Sequence, residues 1–256
     1  MPVLTFYGRM GGKSKIAKEL ISLFPTDKDT YIEPFLGAGN ILMRMNKDQF
    51  KQRVVNDLDR MVYYLFHDIQ KINKDDVMTL FDDVNKSYWK QIHRQLEWVF
   101  LAPPQRRLAL LLYYVWFSYG GKCESFDTKK ATTSTRRKSS LMKKLDAIQG
   151  HLDGVILKNL SCCELIQQYQ HDANTFLYCD PPYYETATYK HGINHDDLQR
   201  TLSQCQGKWM VSYNDHPYIR ELYQDYHIKE IKTTYQLMGT NNRQDKTELI
   251  ITNYVV

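Results

Sequence analysis

The segment Tyr31-Ile32-Glu33-Pro34-Phe35-Leu36-Gly37-Ala38-Gly39-Asn40 decides the fold of this 256-residue chain. Its first half is a short apolar run with β-branched and aromatic residues, which predicts a buried strand. Its second half has two glycines one residue apart, which let the backbone turn tightly where the strand ends. A strand, a glycine turn and then a helix, predicted here over residues 41–49, are typical of an α/β fold that binds a ligand at the carboxyl edge of its sheet.

Six other stretches of the same kind predict strands, and helical periodicity separates most of them. The predicted strands are YIEPF from Tyr31 and residues 54–57, 155–159, 175–180, 209–213, 227–233 and 247–254. The predicted helices between them cover residues 14–23, 41–49, 163–170, 196–204 and 218–226. This alternation predicts a mostly parallel sheet. No helical pattern joins the last two strands, which predicts an antiparallel pair at the edge of the sheet.

The alternation of strands and helices stops between residues 60 and 150. Helical patterns cover residues 61–72, 87–100 and 105–119, and a polar, cationic loop follows them. We therefore expect a discontinuous domain made of residues 1–59 and 151–256, with a mainly helical domain of residues 60–150 inserted into it.

The positive charge of the chain is concentrated in that insert. The formal net charge is +5, and eight Lys or Arg residues face two acids between Lys122 and Lys144. The local charge is therefore +6 and the remaining residues sum to −1. A solvated surface loop would have this composition, and so would an element that contacts the phosphates of a nucleic acid through cations and hydroxyls.

Composition excludes several classes of protein. Charged residues make up 25% and hydrophobic residues 43%, which is typical of a globular protein. Five cysteines without a CxxC pair do not form a disulfide framework or a zinc site, so we expect reduced, mostly buried thiols. The start of the chain does not resemble a signal peptide, and the longest apolar run, residues 108–117, is too short to span a membrane. We expect a soluble cytoplasmic protein that needs no metal, with His67 and Asp68 on a helix surface.

Asp57 follows the second predicted strand, 18 residues after Gly39. A carboxylate at that place can accept hydrogen bonds from the two hydroxyls of a ribose, although it could instead cap the helix that begins near Asp59. A dinucleotide fingerprint needs a third glycine where Leu42 stands. The pattern therefore favours a nucleoside-like ligand without a pyrophosphate.

The tetrapeptide Asp180-Pro181-Pro182-Tyr183 follows another predicted strand. Two prolines fix an extended turn and donate no N–H. A carboxylate, a fixed carbonyl and an aromatic ring then lie at the carboxyl edge of the sheet. This set suits an exocyclic amino group on a planar base, because Asp180 and the Pro181 carbonyl can accept its hydrogens while Tyr183 stacks on the ring.

These motifs resemble those of the Dam-type, or D12 class, DNA N6-adenine methyltransferases. The family's Gly-Gly-Lys matches Gly11-Gly12-Lys13, its cofactor block matches residues 31–39, and its closing strand matches residues 247–254. An aromatic residue that usually precedes the Gly-Gly is replaced by Arg9, with Tyr7 nearby. Ser161 and Cys162 stand where the family has an acid after the third strand. The resemblance covers essentially the whole chain and implies a Rossmann-like methyltransferase sheet with an inserted target-recognition domain.

The resemblance also implies S-adenosylmethionine as cofactor and double-stranded DNA as partner, with a flipped-out adenine as target. The implied catalytic residues are Asp180, Pro181, Pro182 and Tyr183. The implied cofactor contacts are Tyr7, Arg9, Gly11, Gly12, Lys13, Glu33, Pro34, Phe35, Gly37, Ala38, Gly39, Asn40, Asp57, Ser161, Cys162 and Asp180. The candidate DNA contacts are Arg9, Tyr119, Lys122, Lys129, Lys130, Arg136, Arg137 and Lys138.

Three alternatives stay open from the sequence. Cytosine N4 methylation uses the same type of motif, more often with Ser in place of Asp180. Methylation of an RNA or of a protein amide usually uses a motif that begins with Asn. A catalytically silent DNA-binding protein could also keep this scaffold. We further expect a monomer or weak dimer, and a cognate restriction endonuclease is a conceivable partner.

Overall fold

The computed structural model describes residues 13–131, 134–185, 192–236 and 243–256. Within these ranges, the side chains of residues 120, 130, 134–138, 233–236 and 243–246 are not described.

The described residues form a seven-stranded sheet. Its strands are β1 (Thr30–Glu33), β2 (Gln52–Asn56), β3 (Val155–Lys158), β4 (Thr175–Cys179), β5 (Lys208–Asn214), β6 (His227–Gln236) and β7 (Arg243–Thr252), in the order β3-β2-β1-β4-β5-β7-β6. Strand β1 pairs in parallel with β2 and with the central strand β4, and β4 pairs in parallel with β5. Strand β7 runs antiparallel to both β5 and β6. All seven predicted strands and the antiparallel edge pair are confirmed, and the sheet is mostly parallel and Rossmann-like, as predicted.

Short helices accompany these strands. They are α1 (Ala17–Ser22), α9 (Cys162–Tyr169), α10 (His195–Ser203) and α11 (Pro217–Leu222), and each overlaps a helix predicted from the sequence. A 3-10 turn over Lys13–Lys15 precedes α1. Side-chain caps fix the starts of α9 and α10: the Ser161 hydroxyl accepts the Glu164 N–H, and the Asn194 carbonyl oxygen accepts the Asp197 N–H.

The helix predicted over residues 41–49 is wrong. These residues form successive turns, and Ile41, Leu42, Met43 and Met45 are all buried. The Asn40 carbonyl, which would accept the Arg44 N–H in a helix, accepts the Arg44 guanidinium instead, at 2.9 Å. The apolar residues of this segment predicted a helix, but they are buried almost consecutively rather than at the spacing of one helix face.

The stretch from 60 to 152 is helical, as predicted, but with different boundaries. Its helices are α2 (Arg60–Lys71), α3 (Lys74–Asp82), α4 (Lys86–Arg94), α5 (Glu97–Phe100), α6 (Pro104–Trp116), α7 (Thr128–Ala131) and α8 (Ser134–Leu152). Helix α3 was not predicted. The single helix predicted over 87–100 is interrupted because Gln95 leaves the helical region, with φ −151° and ψ 105°.

The cationic loop predicted after residue 119 is mostly wrong, because much of it is helix. Leu141, Leu145, Ile148 and Leu152 are buried at a helical spacing along α8. This apolar period begins only at Leu141, so the polar residues before it concealed the first half of the helix.

Two compact units make up the chain. The first comprises Gly37–Met45 and Asp59–Leu157 together with the start of the chain through Ser14, of which Lys13 and Ser14 are described. The second comprises Lys15–Leu36, Asn46–Leu58 and Lys158–Val256. The predicted division into domains 1–59 with 151–256 and 60–150 stays a prediction.

Asp68 is not on a helix surface, so that expectation is wrong. Its carboxylate is 1% exposed and accepts two hydrogen bonds from Arg107, at 2.7 and 2.8 Å. An acid can be buried on α2 because Arg107 of α6 supplies its partner cation.

The five cysteines are all free, but only Cys179 is buried and the other four are partly exposed. No helix among the described residues is both long enough and apolar enough to cross a membrane.

Candidate active site

The Asp180-Pro181-Pro182-Tyr183 turn begins where β4 ends, at the carboxyl edge of the sheet. All five residues of β4 are buried, which anchors the start of the turn. Neither proline has an N–H to donate, so the strand ladder stops at Asp180. Pro181 is buried, whereas Asp180, Pro182 and Tyr183 are partly exposed. The turn therefore presents its side chains from a rigid strand in the middle of the sheet.

Ser212 of the neighbouring strand holds the Asp180 carboxylate. The Ser212 hydroxyl donates to Asp180 Oδ1 at 3.1 Å, and the same hydroxyl lies 3.1 Å from the Tyr178 hydroxyl. Ser212 and Tyr178 are fully buried. The orientation of the Asp180 carboxylate is thus set by groups that water does not reach.

The Tyr183 hydroxyl donates to Glu248 Oε2 at 2.7 Å. Glu248 lies on β7 and is 3% exposed. Burial raises the pKa of Tyr183 well above its usual value, and the negative charges of Asp180 and Glu248 raise it further. The hydroxyl therefore stays protonated and keeps its role as a donor.

Glu33, at the end of β1, lies close to two other acids. It is 2% exposed, and its Oε2 accepts the Tyr31 hydroxyl at 2.9 Å. Burial raises the pKa of Glu33 well above its usual value, the Tyr31 hydrogen bond opposes that shift, and the charges of Asp180 and Asp57 add to it. The ends of β1, β2 and β4 therefore bring together three predicted site residues, Glu33, Asp57 and Asp180.

Asn56 fastens the strand ends that carry these acids. Its side-chain amide donates to the carbonyls of Pro34 and Leu160, both at 3.0 Å, and its side-chain oxygen accepts the Leu160 N–H at 2.8 Å. Asp57, 8% exposed, comes next in the chain. The helix cap that Asp57 could have provided is supplied by Asp59, which accepts the Met61 N–H. The Asp57 carboxylate is therefore not committed to capping α2.

The glycine turn that follows Phe35 has the left-handed backbone that its glycines allow. Gly37 has φ +51° and Gly39 has φ +68°. A Cβ on Gly37 would meet none of the described residues within 4 Å, whereas a Cβ on Gly39 would lie 3.2 Å from the Phe66 ring. Gly39 thus permits close packing against α2. Phe35 packs against the core, Ala38 is buried, and Asn40 accepts from Arg44.

The structure gives burial, capping or protonation state for three other predicted cofactor contacts, Lys13, Ser161 and Cys162. Lys13 is 1% exposed, in the 3-10 turn before α1. Ser161 caps α9 in a capping box with Glu164. Burial raises the pKa of Cys162 to about 12, so its thiol is neutral at physiological pH. Tyr7, Arg9, Gly11 and Gly12 lie outside the described residues.

The predicted DNA contacts lie on the helical stretch. Tyr119 is 60% exposed on a 3-10 turn over Tyr119–Gly121, and Lys122 follows it at the surface. Lys129 is exposed on α7. Arg136, Arg137 and Lys138 belong to α8 and Lys130 to α7, but their side chains are not among those described.

Sequence reasoning missed four residues of the candidate site: Tyr31, Asn56, Ser212 and Glu248. Asn56, Ser212 and Glu248 share a signal, because each is a polar residue within or beside an apolar strand segment. Polar groups in buried strands need a partner and so point to a site. Among the described residues, no group of three or more His, Cys, Asp or Glu side chains could hold a metal ion.

Comparison with known proteins identifies the family of the chain. The family model of the D12 class N6 adenine-specific DNA methyltransferases matches residues 10–237. A DNA adenine methylase of Haemophilus influenzae is 25% identical, over 94% of this chain and 90% of its own length. The Type II methyltransferase M1.LlaDCHI of Lactococcus lactis is 22% identical, over 95% and 93% respectively. The chain belongs to the D12 class of N6 adenine-specific DNA methyltransferases.

Proposed function

We propose that this chain transfers a methyl group from S-adenosylmethionine to N6 of an adenine that is flipped out of duplex DNA. The observation that carries the proposal is the Asp180 carboxylate, held by Ser212 beside Tyr183 at the carboxyl edge of the sheet. This edge is where ligands bind in open α/β sheets.

The described residues fit the proposed cofactor. Asp57 offers a largely buried carboxylate that can accept hydrogen bonds from ribose hydroxyls. Gly37 has no side chain that would keep a ligand away from its backbone. When bound, the cofactor supplies a methyl group that its sulfonium has already activated, so the reaction needs no nucleophilic side chain. The other cofactor contacts that the resemblance implies, such as Tyr7 and Cys162, stay predictions.

The task of the protein is then to make the adenine amino group reactive. The lone pair of that nitrogen is delocalised into the ring, which makes it a poor nucleophile. Asp180 and the Pro181 carbonyl would accept its two hydrogens, favouring a pyramidal nitrogen with a localised lone pair. They would also stabilise the positive charge that grows on the nitrogen during transfer. Fixed orientation of Asp180 by Ser212 makes this stabilisation preorganised.

The amino group of a paired adenine cannot reach such a site, which is why we propose base flipping. Tyr183 is the stacking partner for the extruded ring. The exposed Lys122 and Lys129 lie on the stretch with a local charge of +6, and the exposed Tyr119 lies just before it, which supports phosphate contact. A monomer or weak dimer and a cognate restriction endonuclease stay predictions.

Substitution of Asp180 tests the proposed mechanism. Asp180→Ala should still bind S-adenosylmethionine, because Asp57 is untouched, and should lose methyl transfer to DNA. Isothermal titration with the cofactor and a transfer assay with tritiated cofactor measure the two properties. Normal turnover by the variant would refute the role given to Asp180.

A further inference from the structure

We propose that Glu248 is a positioning residue that holds the Tyr183 ring in the orientation that receives the target base. This inference rests on the proposed function. It adds a residue from the last strand of the sheet to the machinery that prepares the amino group for transfer.

The antiparallel direction of β7 brings Glu248 to the site. In the parallel part of the sheet, β4 and β5 end at the same edge, with Cys179 opposite Val211. Strand β7 runs the other way, so the middle of this long strand is level with that edge. Glu248 is paired with Asn214, the last residue of β5. A residue at this register lies beside the turn that follows β4.

The contact between Glu248 and Tyr183 is short and shielded from water. The hydroxyl donates to Oε2 at 2.7 Å, and the carboxylate is 3% exposed. A hydrogen bond from a hydroxyl to a carboxylate is stronger than one between neutral groups. The body of the tyrosine ring packs against the core cluster around Trp209 and Leu249. The ring is therefore fixed along one side by packing and at its far end by the hydrogen bond.

This arrangement explains why the residue is tyrosine. A phenylalanine ring would stack on a base equally well, so stacking alone does not require a hydroxyl. The hydroxyl sets the direction of the ring, because Glu248 is on a strand and cannot follow a rotating side chain. A carboxylate offers only acceptors, so the tyrosine hydroxyl has to donate to it. Burial and the two neighbouring carboxylates keep that hydroxyl protonated.

A double-mutant cycle tests the inference. We would measure kcat and the KM for S-adenosylmethionine, with plasmid DNA as methyl acceptor, for Glu248→Gln, Tyr183→Phe and the double variant. Each single variant should lower kcat about tenfold, which corresponds to about 1.4 kcal/mol for a hydrogen bond to a charged group. The double variant should also lose about tenfold rather than about a hundredfold, because both changes act on the same charge-assisted hydrogen bond: Tyr183→Phe removes the donor, and Glu248→Gln leaves only a neutral amide acceptor. The KM for the cofactor should not change.

Glu230→Gln is the matched control. It makes the same substitution on the neighbouring strand β6, where Glu230 is exposed and paired with Arg220. The kcat of this control should equal that of the wild type. If Glu248→Gln is unfolded at the assay temperature, Glu248→Asp replaces it in the cycle, since it keeps the charge but withdraws the acceptor from the hydroxyl.

Two results would overturn the inference: a wild-type kcat in the Glu248 variant, or effects of the two single changes that multiply in the double variant. Either result would leave the proposed function intact as long as the wild-type enzyme methylates adenine. Failure of the wild type to methylate adenine would instead refute the proposed function.

Discussion

Substituting Asp68 should strongly destabilise the first compact unit, which contains helices α2 to α8, because the substitution breaks a buried ion pair. The Asp68 carboxylate is 1% exposed, and the Arg107 side chain is 10% exposed. Two nearly parallel hydrogen bonds join them, and the guanidinium also lies 4.1 Å from the centre of the Tyr64 ring. Asp68→Asn keeps the size of the side chain but places an amide donor against a guanidinium that has only donors.

The expected loss follows from the burial of the charges. Two unit charges about 4 Å apart interact by about 4 kcal/mol at an effective dielectric constant near 20. Removal of one partner from a buried pair typically costs about 3–5 kcal/mol, because the remaining charge stays buried without compensation. Arg107 keeps weak hydrogen bonds to the carbonyls of Phe100 and Ala102 at 3.5 and 3.4 Å. We therefore expect a loss near the lower end, about 3 kcal/mol.

Urea denaturation followed by circular dichroism measures this loss. Asp83→Asn is the control, because Asp83 is exposed and should change the free energy of unfolding by less than about 0.5 kcal/mol. Replacement of both partners, Asp68→Leu with Arg107→Met, should restore much of the stability, since no unpaired charge remains. A decrease in the free energy of unfolding below about 1 kcal/mol for Asp68→Asn would refute the reasoning. A decrease in the double variant equal to the sum of the decreases for Asp68→Leu and Arg107→Met alone would also refute it.

Three other substitutions should alter the free energy of unfolding in predictable directions. The pKa of Glu33 is raised in the folded state, so the contribution of this one group to wild-type stability should be fully present below the usual pKa of 4.5 and should be lost as the pH rises toward the folded value, by up to about 1.4 kcal/mol per pH unit. Glu33→Gln should therefore be more stable than the wild type above pH 4.5 by a margin that grows with pH, and a margin that shrinks in a series of urea titrations would contradict this. Gly37→Ala should lower the free energy of unfolding by about 1 kcal/mol, because an alanine is strained in the left-handed backbone conformation. Gly39→Ala should lower it by about 1 kcal/mol more, because the added Cβ would press on the Phe66 ring. Equal losses for the two variants in thermal melts would show that the Phe66 contact is unimportant.

Much of the fold could be predicted from the sequence because buried strands have a local signature. Apolar runs such as residues 175–179 are too short and too rich in β-branched and aromatic residues for helices. Residues 41–45 are also mostly apolar but form turns, in which the Arg44 N–H donates to the Ile41 carbonyl and the Arg44 guanidinium donates to the Asn40 carbonyl. The first half of α8 is polar, and only the buried leucines after it reveal that the helix has already begun.

The candidate site could be predicted only where its residues follow one another in the chain. Asp180, Pro181 and Tyr183 form one motif, so their chemistry could be read directly. Glu248 reaches Tyr183 across 65 positions of sequence, through the register of an antiparallel strand. Asn56 meets Leu160 across 104 positions. Such contacts depend on strand order, which local patterns do not specify.

The identity of the methylated nucleoside tests the central claim most directly. The wild-type chain would be incubated with duplex DNA and S-adenosylmethionine carrying a tritiated methyl group, and the DNA would then be digested and its nucleosides separated. The account predicts that the label elutes as N6-methyladenine. Label in N4-methylcytosine, or DNA without label, would contradict it.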